Sequence, residues 1–193
     1  VACATISISP LGTTWPKTVI FDFGTVNSSD CSDGRTRRGV ITAIFSGEYR
    51  TIGTTITATT SNYFLNDHEI ICTRTITNSG RNAAGNLEFT DNVSVGKVIT
   101  PSGDIIVRES NLVFEWTEGE STMGLFGFLD DVYNVRGNAT GTSREGIDFI
   151  YDITEDLEKE VICPWISKGK IELRADGIPT ISGDYGDGTC DNQ

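Results

Sequence analysis

Histidine occurs once, at His68, and methionine once, at Met123. The five cysteines contain no C-x-x-C pair, so a zinc site of the usual Cys/His kind is not expected. A serine or cysteine nucleophile would have only His68 as its imidazole base, and no Gly-x-Ser-x-Gly elbow occurs anywhere. Basic residues are also scarce. Lys and Arg total 15 against 27 Asp and Glu, giving a net charge of −12 and a pI near 4.4. Phosphate neutralisation is therefore poorly supplied, which argues against nucleic acid as a partner and against adsorption to anionic lipid. The same balance fits plain solubility or cation binding. No run approaches the roughly 18 apolar residues that would cross a bilayer, and no charged segment followed by an apolar stretch opens the chain. A soluble, mature chain without a transmembrane segment is expected. Helical signals are nearly missing: residues 155–160 have helix-forming composition but are too short and too charged to bury a stripe, and read as a turn.

What the chain has is period-two alternation interrupted by turn residues. Residues 38–45 alternate and break at Ser46-Gly47. Residues 52–60, 68–77, 87–89, 93–99, 105–116, 132–140, 147–154, 160–173 and 178–185 repeat the pattern. Between them stand Asn78-Ser79-Gly80, Pro101-Ser102-Gly103 and Ala175-Asp176-Gly177. Threonine and isoleucine suit a pleated, half-solvated surface. Parallel neighbours would need crossovers of about a dozen residues, for which there is no room, so consecutive strands should pair antiparallel. The expectation is a single all-β domain over residues 1–193, an antiparallel meander forming a large twisted sheet, a sandwich or a barrel.

Cys3, Cys31, Cys163 and Cys190 lie near strand ends, whereas Cys72 sits inside a strand. This distribution suggests two disulfides in an oxidising compartment and a buried thiol at Cys72. Of the three possible connectivities, Cys3 with Cys31 and Cys163 with Cys190 is preferred, because each closes a local strand-turn-strand unit. Residues 119–129 stand apart, with Met123, Leu125, Phe126, Phe128 and Leu129 among glycines, as a loop tucked over the core or an exposed apolar binding loop. An echo links the two ends. Asp22-Phe23-Gly24 precedes Cys31, and Asp184-Tyr185-Gly186 precedes Cys190.

Several local runs point in one direction: Asp22-Phe23-Gly24, Asp33-Gly34-Arg35, Arg37-Arg38-Gly39, Thr73-Arg74-Thr75, Asp130-Asp131-Val132-Tyr133, and above all Asp184-Tyr185-Gly186-Asp187-Gly188-Thr189-Cys190-Asp191-Asn192. Taken together the chain resembles secreted proteins and lipoproteins of Bacteroidota whose activity is uncharacterised. The resemblance implies an exported, envelope-associated β-protein at the outer-membrane or extracellular surface. It transfers no catalytic residue.

Three chemistries remain to be weighed. Asp184, Asp187 and Asp191 in a Gly-rich loop offer the oxygen ligands calcium prefers, as do Asp22, Asp30 and Asp33, but turns demand the same residues and the EF-hand spacing is missing. Calcium is the one cofactor to consider. Glu115, Glu118, Asp130, Asp131 and Asp148 could supply the paired carboxyls of a glycoside hydrolase, though abundance alone selects no pair. Trp15, Trp116 and Trp165 with Tyr49, Tyr63, Tyr133, Tyr151 and Tyr185 could build a sugar-stacking face, yet Trp116 and Trp165 fall in apolar strands and read first as core. Arg35, Arg37 and Arg38 should pair with Asp30, Asp33 or the C-terminal acids; Arg50, Arg74, Arg108 and Arg136 should pair across strands; His68 reads as a solvated histidine beside a turn. The preferred expectation is a non-enzymatic surface-assembly component or adhesin-like module. Its partners would be other envelope proteins or a second copy, reached by strand addition through residues 1–10. A carbohydrate-binding module and a hydrolase are the alternatives.

Overall fold

The computed structural model describes residues 3–28, 31, 33–122 and 127–191; Val1, Asp30, Met123, Leu125, Phe126 and Asn192 lie outside it. Eleven strands form one antiparallel sheet in strict chain order. They are β1 (Thr5–Ser9), β2 (Lys17–Asp22), β3 (Arg37–Phe45), β4 (Thr55–Leu65), β5 (His68–Arg81), β6 (Leu87–Ile99), β7 (Ile105–Glu118), β8 (Val132–Thr142), β9 (Asp148–Glu160), β10 (Lys168–Ala175) and β11 (Ile181–Asp187). The sheet does not close, so of the three expected forms it is the long open meander, and neither the sandwich nor the barrel. No helix is long and apolar enough to cross a membrane among the described residues.

Register explains why the composition splits as it does. Residues directly opposite one another share a face. One row crosses all eleven strands through Ile8, Val19, Ala43, Ala58, Arg74, Val93, Ser110, Ala139, Tyr151, Leu173 and Ile181. The adjacent row on the other face runs through Ser9, Thr18, Ile44, Thr57, Thr75, Asn92, Asn111, Asn138, Asp152, Glu172 and Ser182. The first face is mainly apolar and the second a ladder of threonine, asparagine and charge. A one-residue slip would exchange them, so the pattern fixes the register.

Among the described residues strand packing runs between sequence neighbours, with no second layer of strands over the apolar face. The accessible surface, 11453 Å², exceeds the roughly 9,000 Å² of a globular chain this long, as a single-layered sheet requires. Burial is accordingly concentrated where loops fold back. Leu87, Phe89 and Trp116 form the core cluster, flanked by Ile76, Phe114 and Tyr133. Bulges bend the strands around it. At one of them Gly137 holds φ +126°, and a Cβ there would stand 2.2 Å from the Asn111 carbonyl oxygen, so only glycine fits.

The expected strand boundaries need correction in five places. Residues 5–9 and 17–22 are strands, too short for alternation alone to mark. Residues 87–89 and 93–99 belong to one bulged strand, β6. Residues 155–160 are not a turn but the end of β9, because Leu157 drops into the apolar row beside Val135 while Lys170 pairs with Glu155 at 2.8 Å. The expected strand 160–173 is interrupted by a loop, and β10 starts only at Lys168.

Both bridges join the expected partners, Cys3 with Cys31 and Cys163 with Cys190. Cys72 is unpaired, and half-buried where full burial was expected. The sequence echo has a structural basis. Gly24 N–H donates to Asp22 Oδ1 at 2.8 Å, and Gly186 N–H donates to Asp184 Oδ1 at 3.0 Å, so the same Asx turn leads to a bridged cysteine twice.

Candidate functional site

The connections at one end of the sheet are long, and two of them lie over the apolar face. Residues 46–54, between β3 and β4, are held by Asn78, whose side chain is almost wholly enclosed. Its Nδ2 donates to the Tyr49 carbonyl at 3.0 Å, its carbonyl accepts from Gly53 N–H at 2.8 Å, and its Oδ1 accepts from Gly80 N–H at 2.9 Å. Each buried polar atom of the amide thus has a partner. This staple lays the Tyr49 ring on Phe89, with centroids 4.5 Å apart and planes 6° from parallel.

The described parts of the connection between β7 and β8, residues 119–122 and 127–131, approach from the other side. Arg81 grips the Glu120 carboxylate with two bonds of 2.9 and 2.6 Å, and Arg50 donates to the Glu120 carbonyl at 2.8 Å. Thr122 Oγ1 ties the loop base to the Gly119 carbonyl and to Asp130. The described flanks of 119–129 are anchored to the sheet, Phe128 and Leu129 are exposed, and Met123, Leu125 and Phe126 lie outside the described residues.

Between the two loops lies a cleft of about 500 Å³ lined by Tyr49, Arg50, Trp116, Thr122, Gly127, Phe128, Asp131 and Tyr133. Arg50 stands over the Trp116 ring, 4.7 Å from its centroid, while Tyr133 stacks on the same indole at 5.6 Å. Trp116 is 4% exposed, so it is core, as expected, and offers no open face for sugar stacking. A smaller concavity of about 240 Å³ shares Tyr49 and Tyr133 and reaches Arg74 and Asp91, an ion pair with Nε to Oδ1 at 2.7 Å. Burial raises both the Tyr49 and the Tyr133 phenol.

Two atoms at the base of the cleft break the rule that buried polar groups are satisfied. Trp116 Nε1 and Asp131 Oδ1 have no hydrogen-bond partner. Burial pushes the Asp131 carboxyl up; the Trp116 indole N–H pulls it back without reaching hydrogen-bonding geometry. An acid whose folded form holds its proton more tightly than the unfolded chain stabilises the fold below the unfolded value of 3.8, and that contribution is lost as pH rises through the raised folded value. Asp131→Asn, which cannot ionise, is expected to raise the denaturant midpoint at neutral pH and to leave it unchanged below pH 3.8. Equal midpoint differences at both pH values would contradict a raised Asp131.

The other candidate residues fall elsewhere. Glu115 faces the polar side, accepting from Asn82 and Asn86 at 2.8 Å each, and Asn86 above all holds its carboxyl low. It and Asp131 stand on opposite faces and cannot flank one substrate. Asp148 accepts from Thr142 at 2.7 Å at the far end of the sheet. Asp184, Asp187 and Asp191 line a concavity of about 640 Å³ with Gly186 and Thr189, but the first two close turns, Asp187 Oδ1 accepting from Thr189 N–H and Oγ1. Among the described residues no cluster of three or more His, Cys, Asp or Glu side chains is arranged to hold a metal ion.

Arg37 pairs with Asp33 as expected, at 2.6 Å, and holds its carboxyl far below the ordinary carboxylate range, whereas Arg38 turns to Asp67 at 2.8 Å. Arg136 makes the expected cross-strand pairs with Glu88 and Glu115. Arg50 lies in the 46–54 loop and not in a strand, and donates to the Glu120 carbonyl. Trp165, expected in a strand core, is half exposed in the loop before β10. His68 is half-buried, with Nδ1 2.9 Å from the Asn66 carbonyl.

An open sheet also has two edges. β11 is blunted by Asp184 and Asp187, by Gly186 at φ +99°, and by a shift of register against β10. β1 carries none of these devices. Thr5-Ile6-Ser7-Ile8-Ser9 is uncharged, lacks Pro and Gly, and is exposed at every position. All five residues pair with β2, so this terminal segment is not a loose arm, while no described strand pairs with its outer side. No protein-family model, no curated protein and no solved structure matches the chain.

Proposed function

We propose that this chain is an exported, non-enzymatic β-protein of the cell surface that works by protein–protein interaction, with the outer edge of β1 accepting a strand. The observation that carries the reading is the asymmetry of the edges, one defended by carboxylates and glycines and the other a bare, β-branched row of unpaired backbone groups. The two disulfides favour an oxidising compartment, and the resemblance to secreted Bacteroidota proteins and lipoproteins supports an envelope location. Because β11 is blunted, two copies would join β1 to β1 across a two-fold axis and close as a dimer, not propagate as a filament. The strand addition expected through residues 1–10 is thereby referred to the outer edge of β1, since all of Thr5–Ser9 is already paired with β2 on its inner side.

Sedimentation velocity over a range of concentrations tests this, together with binding of a labelled synthetic peptide of residues 4–10. The wild-type chain should show a monomer–dimer equilibrium and bind the peptide. Ile6→Lys, which sets a charge on the edge without touching a buried contact, should be monomeric and bind none. A wild-type protein that stays monomeric throughout and ignores the peptide would rule the reading out.

A further inference from the structure

The smaller concavity, whose described lining comes from β5, β6, β7, β8 and the 46–54 connection, holds a cation with one edge committed and one edge open. Arg74 donates through Nε to Asp91 Oδ1 at 2.7 Å and through Nη2 to Asp91 Oδ2. These bonds occupy one side of the guanidinium. The remaining hydrogens, both on Nη1 and the second on Nη2, have no partner among the described residues. The Asp91 side chain is 5% exposed and that of Arg74 44%, so the carboxylate is the anchor and the open edge lies on the accessible side. An ion pair with a buried partner adds little net stability. Two bonds from a fixed carboxylate do, however, set the plane of the guanidinium, and a ligand is spared the cost of ordering it.

The open edge is the pair of parallel donors that a planar carboxylate matches with two bonds. The walls describe the rest of the guest. Tyr49 is 38% exposed, and Ile76, Phe114 and Tyr133 are half-buried, the last two rings meeting edge to face at 6.4 Å. Such walls suit an aromatic ring. The volume of about 240 Å³ lies below the roughly 300–1,000 Å³ of sites for drug-sized ligands, which limits the guest to one ring on a short arm. Among the described lining residues Arg74 is the one cation, and Asp91 already offsets it, so a dianion finds no second positive group there.

We propose that this concavity binds a small aromatic monocarboxylate, its two oxygens accepting from Nη1 and Nη2 of Arg74 and its ring resting against Tyr49, Phe114 and Tyr133. The site is separate from the β1 edge, and the binding makes and breaks no covalent bond.

The test is titration of the ¹⁵N-labelled full chain with millimolar benzoate, phenylacetate and phenylpropionate, following the Arg74 Nε–H resonance and the Ile76 backbone amide. At least one acid should shift both saturably. Its amide, which keeps the shape without the charge, and acetate, which lacks the ring, should each bind about tenfold more weakly, equivalent to roughly 1.4 kcal/mol. Arg74→Lys keeps the charge but loses the paired donors, and should weaken the best acid by a similar factor as read at Ile76. Where that variant does not fold, the comparison of acid with amide on the wild type decides. The proposal is overturned if none of the three acids moves the Arg74 resonance, if the amide or acetate binds as tightly as the best acid, or if a folded Arg74→Lys loses no affinity. Ile6→Lys should leave the response unchanged, so failure of this site and failure of the edge are distinguishable.

Discussion

Phe89→Ala is expected to lose about 3–5 kcal/mol of folding stability, the usual cost of truncating a fully buried phenylalanine. The residue is 2% exposed, lies opposite Asn78 and Phe114 in the register, and carries the stacked Tyr49 ring on its outer face. In a single-layered sheet few residues are so enclosed, so this cavity has no second layer to collapse into it. A typical domain has 5–15 kcal/mol in total, and the variant therefore forfeits a large share. Equilibrium urea unfolding followed by Trp fluorescence measures it. A loss below about 1 kcal/mol would mean that the 46–54 loop does not rest on Phe89 as described.

The second large effect concerns the C-terminal bridge. Cys163 is 1% exposed, and its bond to Cys190 spans 27 residues. Closing a loop of that length removes chain entropy from the unfolded state worth about 3.5 kcal/mol. Cys163→Ser with Cys190→Ser should lower stability by that order. It should also release the contact in which Gly188 N–H donates to the Ser167 carbonyl at 3.0 Å, so amide exchange at Gly188 should accelerate toward that of a free tail. Unchanged stability together with unchanged Gly188 protection would show that β11 is held by its ladder alone.

The meander was legible because threonine-rich and apolar positions alternate strongly enough to assign both faces. Thr57 against Thr75, and Asn92, Asn111 and Asn138 in line, are the structural counterpart of that composition. The bridges were legible because each links neighbours in the chain. Residues 155–160 were misread because their charges suit a turn as well as the polar face of a strand, and only the position of Leu157 beside Val135 separates the two. The choice among open sheet, sandwich and barrel was not legible, since all three need the same alternation and differ only in how far the sheet curls.

The cleft lay deeper still. Tyr49, Arg50, Trp116 and Asp131 come from three separate parts of the chain, and no spacing relates them. Asp131 stood as one of five interchangeable acids until burial and the unpaired Oδ1 singled it out. Arg50 read as a cross-strand partner beside a strand, because nothing in Tyr49-Arg50-Thr51 announces that Asn78 will staple that segment over Phe89. The β1 edge was visible only as an exposed terminal segment, and its bareness has meaning because the opposite edge is defended.

Residue-resolved amide exchange in Thr5–Ser9, recorded at low and high protein concentration, bears most directly on the reading of β1 as an acceptor edge. The amides that point away from β2 should exchange freely in dilute protein and gain protection as concentration rises, while those directed at β2 stay protected throughout. Outward amides that exchange equally fast at every concentration, or that are already protected in the dilute monomer, would contradict it.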